Sequence, residues 1–208
     1  MVKQVLYATN NQGKISEVSK LLLYNGIEVV SPKDLEIVLD VPETGSTLEE
    51  NAKLKSAAYL AFSNGRIVLS DDTGLEIDAL NGEPGIHVRR WRDKYNRMGD
   101  EEIINYCLER MSGIPEDQRG AQFRTVLALA VPNGGIEIFD GTLRGTILEQ
   151  PAKLRVEGFP FESLFFVTEW NMLLGEAHQI EASKKDGRIN HRERALMKAI
   201  PRIKSLLG

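Results

Sequence analysis

Ile67-Val68-Leu69-Ser70-Asp71-Asp72-Thr73-Gly74 is the stretch on which the reading of the fold turns. The aliphatic run predicts a buried strand, Ile67 to Leu69, leading straight into two adjacent carboxylates. Acids leaving the end of a buried strand suit an open α/β sheet, whose ligands gather beyond the strand ends. Upstream, Gln4 to Ala8 reads as a strand, and the polar Asn10-Asn11-Gln12-Gly13 turn leads into a helix. In that helix Ile15, Val18, Leu21 and Leu22 fall at helical spacing, with Leu23 extending the apolar face. Ile27 to Val30 is a second strand. Thr47 predicts an N-cap with Glu50 as its capping-box partner, opening a helix to about Phe62.

Downstream, Leu80 to Asn96 is rich in Gly, Pro and Arg without a clear period and reads as an ordered loop. Asp100 to Met111 is helical, with Ile103, Ile104 and Leu108 facing inward. Ala121 to Val131 and Ile136 to Leu143 form a hairpin across Pro132-Asn133-Gly134-Gly135. Ile189 to Leu207 closes as a helix that Pro201 should kink or end. Alternating strands and helices followed by a hairpin imply an α/β fold with a mixed sheet.

The bulk properties narrow the function. The 208 residues suit one domain or two small lobes, and a 42% hydrophobic share leaves enough material for a core. A net charge of -4 argues against a general nucleic-acid-coating surface. Cys107 is the only cysteine, which excludes an internal disulfide or a two-cysteine metal or redox motif and fits a reducing cytoplasm. The N-terminus enters a strand-like run almost at once, and no apolar run approaches ~18 residues, so neither secretion nor a membrane span is expected.

Four constellations carry chemistry. Thr9, Asn11, Gly13 and Lys14 stand at a strand-to-helix junction, where helix amides and a cation attract phosphate; the bland reading is a capped turn with a solvated lysine. Glu43-Thr44-Gly45 precedes Thr47, Glu50, Asn51 and Lys55, an acidic turn beside a helix start that could hold a hard cation. Alone it reads equally as a capped amphipathic helix. Asp71 and Asp72 are costly as neighbours unless a cation or proton neutralises them, so one could bind Mg²⁺ while the other activates water. An Asx-type turn is the bland alternative. Asp72-Thr73-Gly74 also matches the aspartic-protease signature, a dimeric dyad in a nearly all-β fold. Last, Gly158-Phe159-Pro160-Phe161-Glu162 and Asn190-His191-Arg192 could stack on a base and read its edge or bind phosphate, against the default of core aromatics and a helix cap.

In this order, the four motifs resemble the inosine-triphosphate pyrophosphatase family. The family's T-x-N-x-x-K opening matches Thr9, Asn11 and Lys14, followed by Glu17. Its E-T-G-x-T-[FL]-x-E-N-A-x-x-K block matches Glu43 through Lys55, and its D-D-[ST]-G-L run matches from Asp71, continuing nearly residue for residue to Ile86. Arg90 stands at the expected arginine. The resemblance covers essentially the whole chain. It implies one domain over 1–208, with two lobes, a long mixed β-sheet flanked by helices and a central active-site cleft. It also implies a cytoplasmic homodimer and Mg²⁺-dependent cleavage of a non-canonical purine triphosphate (ITP, dITP or XTP) to monophosphate and pyrophosphate. By carry-over Thr9, Asn11, Lys14, Lys55, Thr73, Arg90, His191 and Arg192 contact substrate, Glu43 and Asp72 hold the metal, and Asp72 or Asp71 activates water. A binding or sensing protein without turnover is the rival class.

The departures cluster at the base end. The family's G-F-G-[YW]-D-P reads Gly158-Phe159-Pro160-Phe161-Glu162-Ser163, with proline for glycine and a carboxylate extended by one methylene, ~1.5 Å. The family's K-x-x-x-[ST]-H-R places Asp186 at the lysine, with Lys185 one position away. Phe159, Glu162 and Asp186 are thus expected at the base. An acidic pair of Glu162 and Asp186 would accept from amino or imino hydrogens and repel keto oxygens.

Overall fold

The computed structural model describes residues 3–93, 95–181 and 184–208. Met1 and Val2 of the strand-like N-terminus, and Lys94 of the expected loop, lie outside the described residues. The strands are β1 (Gln4–Tyr7), β2 (Glu28–Val30), β3 (Ile67–Ile77), β4 (Pro84–Gly85), β5 (Gly120–Ala130), β6 (Ile136–Ile147), β7 (Phe165–Val167) and β8 (Met172–Leu173). The helices are α1 (Gln12–Tyr24), α2 (Leu48–Leu60), α3 (Asp100–Arg110), α4 (Leu174–Gln179) and α5 (His191–Leu207). The described strands form one mixed sheet in the order β2-β1-β3-β5-β6-β7-β8, with β4 paired to β3. β1 runs parallel to β2 and β3, whereas β3–β4, β6–β7 and β7–β8 are antiparallel. This is the expected mixed α/β architecture, and its helices exclude the nearly all-β aspartic-protease fold.

The chain folds as two compact units. The first holds Met1–Thr73, Thr125–Gly141 and His191–Gly208. Strand alternation sorts its core onto two faces of the sheet. Val5, Tyr7, Ile67 and Leu69 pack with Val18 and Leu22 of α1 and with Leu196, Ala199 and Ile203 of α5. Leu6, Ala8 and Val68 pack with Tyr59 of α2 on the other face. Each such aliphatic side chain stabilises the fold by about 1.5–3 kcal/mol. The second unit, Gly74–Arg124 and Thr142–Asn190, gathers Leu75, Ile77, Leu143 and Ile147 with Ile103, Ile104 and Cys107 of α3.

Several elements differ from the sequence reading. β3 does not stop before the acids. It runs eleven residues through them, since Leu75 and Ile77 continue the buried alternation and Leu75 and Glu76 pair with Gly85 and Pro84 of β4. The expected loop from Leu80 therefore contains a strand, as well as a 3-10 turn at Val88–Arg90. β6 extends four residues beyond Leu143 to Ile147, and β7, β8 and α4 are too short to leave a periodic signal. Leu23 is 69% exposed, because positions spread around the helix cannot all face one side. Thr47 caps α2 by accepting from Glu50 N–H at 3.1 Å, and the Glu50 carboxylate bonds chiefly the N–H and hydroxyl of Ser46, with the Thr47 N–H as a lesser partner. α5 continues past Pro201 to Leu207. Pro201 and Met197, whose carbonyl it leaves without a helical donor, are both exposed, so water can satisfy that group.

Candidate active site

Adjacent residues of a strand point to opposite faces, and this separates the two aspartates. Asp71 follows Ile67 and Leu69 toward α1 and α5, while Asp72 follows Val68 and Ser70 toward α2. Ser70 marks the second face by donating its hydroxyl to Ala52 O of α2 at 2.6 Å.

Asp71 is 1% exposed and surrounded by donors. Its Oδ1 accepts from the Tyr7 hydroxyl at 2.7 Å. Its Oδ2 meets Lys14 Nζ at 2.9 Å, Arg192 Nε at 3.2 Å and the Thr73 hydroxyl at 3.2 Å. Arg192 continues the network through Nη1 to Glu17 Oε2 at 2.6 Å and Nη2 to Thr73 Oγ1 at 3.1 Å. Burial alone would push the Asp71 carboxyl up, but Lys14, Arg192 and Lys55 outweigh it and hold the group well below the usual carboxylate range. Burial also pulls Arg192 down, and Glu17 and Asp71 more than restore it, so it remains a cation. Lys14 is lowered by burial, with Asp71 opposing and Arg192 and Lys55 adding to the fall. Burial and the Asp71 charge push the Tyr7 phenol well up, keeping it a donor. Two anions, Glu17 and Asp71, thus balance two cations, Lys14 and Arg192.

Asp72 stands differently. Its Oδ2 accepts from Asn51 Nδ2 at 3.2 Å, and Oδ1 lies 3.6 Å from Lys55 Nζ. Lys55 also contacts Glu43 Oε1 at 2.8 Å, so one ammonium serves two carboxylates. The acidic turn is brought there by Asn51, whose Oδ1 accepts from Gly45 N–H at 2.8 Å. Burial raises the Asp72 carboxyl, with Lys55 and Lys14 opposing and Glu43 adding to the rise. Burial would lower Lys55, but Asp72, Asp71 and Glu43 outweigh it and raise it.

The opening motif forms a cap. Asn11 N-caps α1 by accepting from Lys14 N–H at 3.2 Å, and half-buried Thr9 accepts from Asn11 N–H at 3.2 Å. Lys14, one turn into the helix, thereby reaches Asp71. Two of the residues expected to contact substrate are buried. Arg192 is 2% exposed, and its guanidinium nitrogens bond Asp71, Glu17 and Thr73 instead of facing outward. His191 is 5% exposed, and burial together with the neighbouring Arg192 lowers it to about 3, so its ring is neutral at pH 7. Thr73 also turns inward, sharing a 2.7 Å hydrogen bond with Thr125.

In the second unit, Arg90 is half-buried at the end of its 3-10 turn, whereas Arg89 makes the defined contacts. Arg89 pairs with Asp100 at 2.5 Å and donates to Gly158 O at 2.9 Å, while Asp100 accepts from Gly158 N–H at 2.8 Å. Both polar groups of the Gly158 backbone are so clamped. Glu162, 5% exposed, meets His178 Nδ1 through Oε1 at 2.8 Å, and the His178 ring lies 5.1 Å from that of half-buried Phe159. The anticipated pairing of Glu162 with Asp186 is replaced by this histidine. The Asp186 side chain is 82% exposed on a turn with φ 46, near Arg188 at 3.9 Å, and Lys185 beside it is half-buried.

Sequence reasoning missed Tyr7, Arg89, Asp100 and His178 as members of these networks, and it gave Asn51 and Glu17 no role. No residue spacing announces such long-range pairs. No group of three or more His, Cys, Asp and Glu residues arranged for a metal occurs among the described residues, and no helix among them is long and apolar enough to cross a membrane.

Residues 5–202 match the model of the Ham1 family. A dITP/XTP pyrophosphatase of Desulforamulus reducens is 38% identical over 199 residues, covering 95% of this chain and 94% of its own. One from Bacillus cereus is 38% identical over 204 residues, covering 97% and 95%. Among solved structures, the Staphylococcus aureus Ham1 protein superposes with TM-score 0.74 at 32% identity, covering 98% of this chain and 99% of that one. A HAM1 protein from Coxiella burnetii gives TM-score 0.78 at 28% identity, over 98% and 99%.

Proposed function

The chain belongs to the Ham1 family, and from that premise we propose that it hydrolyses a purine nucleoside triphosphate to monophosphate and pyrophosphate, as the names of its dITP/XTP pyrophosphatase relatives describe. The observation that carries the reading is the split of Asp71 from Asp72. Asp71, ionised and fully engaged, positions Lys14 and Arg192. Asp72, less enclosed by cations than Asp71 and with its carboxyl raised by burial, is the carboxylate we assign to accept a proton from water. Attack of that water at the α-phosphorus expels pyrophosphate, whose growing charge the ammonium groups of Lys14 and Lys55 and the amide end of α1 would offset.

A divalent ion such as Mg²⁺ fits the Glu43 and Asp72 side. Both are hard oxygen donors, and both already reach one shared cation. Bound there, the ion would polarise phosphoryl oxygens and acidify water. Lys55 would then move its ammonium from the carboxylates to phosphate.

For the base, Phe159 supplies a ring for stacking and Glu162 an acceptor for ring or amino N–H. With Asp186 turned to solvent, Glu162 alone carries the altered preference, and Lys185 is the better candidate for the family's lysine position. Glu162 would favour a base bearing N–H donors over the 2-keto edge of xanthine. Cytoplasmic location and a homodimer, carried over from the resemblance, complete the reading.

The test is a panel of ATP, GTP, ITP, XTP and pyrimidine triphosphates with Mg²⁺, with products identified. Monophosphate and pyrophosphate from purine substrates, abolished in Asp72→Asn, are expected. Orthophosphate as the product, or binding without metal-dependent turnover, would overturn the hydrolase reading. A clear preference for ITP and XTP over every other triphosphate would end the altered-specificity part alone.

A further inference from the structure

We infer that His178 is a positioning residue for base selection: it fixes the direction of the Glu162 carboxylate and so sets which purine edge that group accepts. The inference rests on the reading of Glu162 as the base acceptor. Glu162 sits in a 3-10 turn, Pro160–Ser163, whose preceding stretch is held at Gly158 by Arg89 and Asp100. Pro160 removes backbone freedom between clamp and carboxylate. The side chain is one methylene longer than the family's aspartate, so it carries an additional rotatable bond. An acceptor on a longer arm discriminates poorly unless the arm is fixed.

α4 supplies that restraint. His178 Nδ1 lies 2.8 Å from Glu162 Oε1, and the same ring touches Phe159 at 5.1 Å between centroids. Three positions earlier, on the same side of the helix, Gly175 meets the Glu162 backbone closely. A Cβ there would lie 3.0 Å from Glu162 O and 3.2 Å from Glu162 Cβ. The helix thus holds both the main chain and the head group of Glu162. A carboxylate that is ionised only accepts, so the contact then requires the proton on Nδ1. With Oε1 tied to His178, the rotation of the carboxylate is restricted, and the direction of the enclosed Oε2 is restricted with it. One histidine also supports the ring that would stack on the base, linking the two contacts that define the base's position.

The experiment compares kcat/KM for GTP and XTP in the parent, His178→Ala, Glu162→Gln and the double variant. His178→Ala should move the GTP-to-XTP ratio about ten-fold, the scale of one hydrogen bond to a charged group. The same change in the Glu162→Gln background should leave the ratio within about two-fold, since the effect passes through the carboxylate. His178→Asn, whose amide can donate from near the Nδ1 position, should restore the parent ratio. An equal loss for both substrates in His178→Ala, or an equal ratio shift in both backgrounds, would overturn the inference. A parent that prefers XTP would remove the assigned direction of specificity, while the ratio shift would still judge His178. If the parent turned over neither substrate, calorimetric affinities for the α,β-methylene analogues of GTP and XTP would provide the same ratios. The hydrolase reading would then fail separately.

Discussion

Asparagine at either position of the acidic pair removes one negative charge and almost no volume, yet the two substitutions should differ sharply in stability. In Asp71→Asn, the Oδ2 side faces Lys14 at 2.9 Å and Arg192 at 3.2 Å, and the Oδ1 side faces the Tyr7 hydroxyl at 2.7 Å. If the amide oxygen stays toward the cations, its NH₂ meets a hydroxyl that can rotate to accept. If it flips, two cations face two donor hydrogens. Either way, Arg192 and Lys14 lose the buried carboxylate that both of them touch. Breaking a buried ion pair by removing one partner costs about 3–5 kcal/mol. For a chain of this size that corresponds to a Tm lower by about 6–20 °C.

Asp72→Asn keeps an acceptor near Asn51 and Lys55 and removes an anion whose ionisation burial disfavours. Its Tm should change by no more than about 4 °C, on the scale of about 1 kcal/mol, while pyrophosphate release is lost. The pH arm has opposite signs for the two groups. Asp71 is depressed in the fold, so its stabilisation is present above the unfolded carboxylate value, about 3.9, and is lost as pH falls through its lower folded value. Asp72 is raised, so it favours the fold below the unfolded value, and that advantage is lost as pH rises through its folded value. Thermal melts by circular dichroism from pH 3 to 8 measure the Asp72 arm and the onset of the Asp71 loss below about pH 3.9. Equal destabilisation by the two variants, or a parent-like Asp71→Asn, would refute the assignment of the pair to two electrostatic environments.

Three further outcomes are expected. Lys55→Met should lower kcat/KM for purine triphosphates about 10²–10³-fold by steady-state pyrophosphate release, the scale of one electrostatic donor to transition-state charge. Arg89→Ala should free the Gly158 backbone from one side of its clamp and raise KM about ten-fold, with a smaller change in kcat, since the phosphate-side residues are untouched. Gly141→Ala should destabilise the fold by about 1–3 kcal/mol in urea melts, because its Cβ would lie 2.6 Å from Ala195 N and 2.8 Å from Arg194 Cβ of α5.

The long elements are legible in the sequence because periodicity is a local property. The α2 cap follows from Thr47, and β5 and β6 follow from their aliphatic runs and the turn that joins them. The second unit is read less completely. β7, β8 and α4 span three, two and six residues, fewer than a period needs in order to repeat convincingly. Their positions depend on tertiary pairing with β6 and on packing around Phe161 and Phe165. The same limit hides His178, since a lone histidine in a six-residue helix gives no sign of the carboxylate sixteen positions earlier that it meets.

At the acidic pair the limit is one of register. The composition of the motif locates the chemistry, but whether Asp71 and Asp72 end a strand or lie within it decides whether they share a site or divide between faces. β4 and β5 together decide the matter. With β5 alongside β3, the pairing of β4 with Leu75 and Glu76 extends the strand past the acids, and strand alternation then sends consecutive side chains to opposite sides. Coupled carboxylates on one turn could exchange roles, as the adjacent spacing suggests. Pointing to opposite faces of one strand, they have different but linked surroundings: Asp71 lies among Tyr7, Lys14 and Arg192, Asp72 beside Asn51, Lys55 and Glu43, and each still feels the other's lysine. A burial-raised carboxylate and a cation-depressed one, adjacent in sequence, are the arrangement expected where one group must exchange a proton and its neighbour must not.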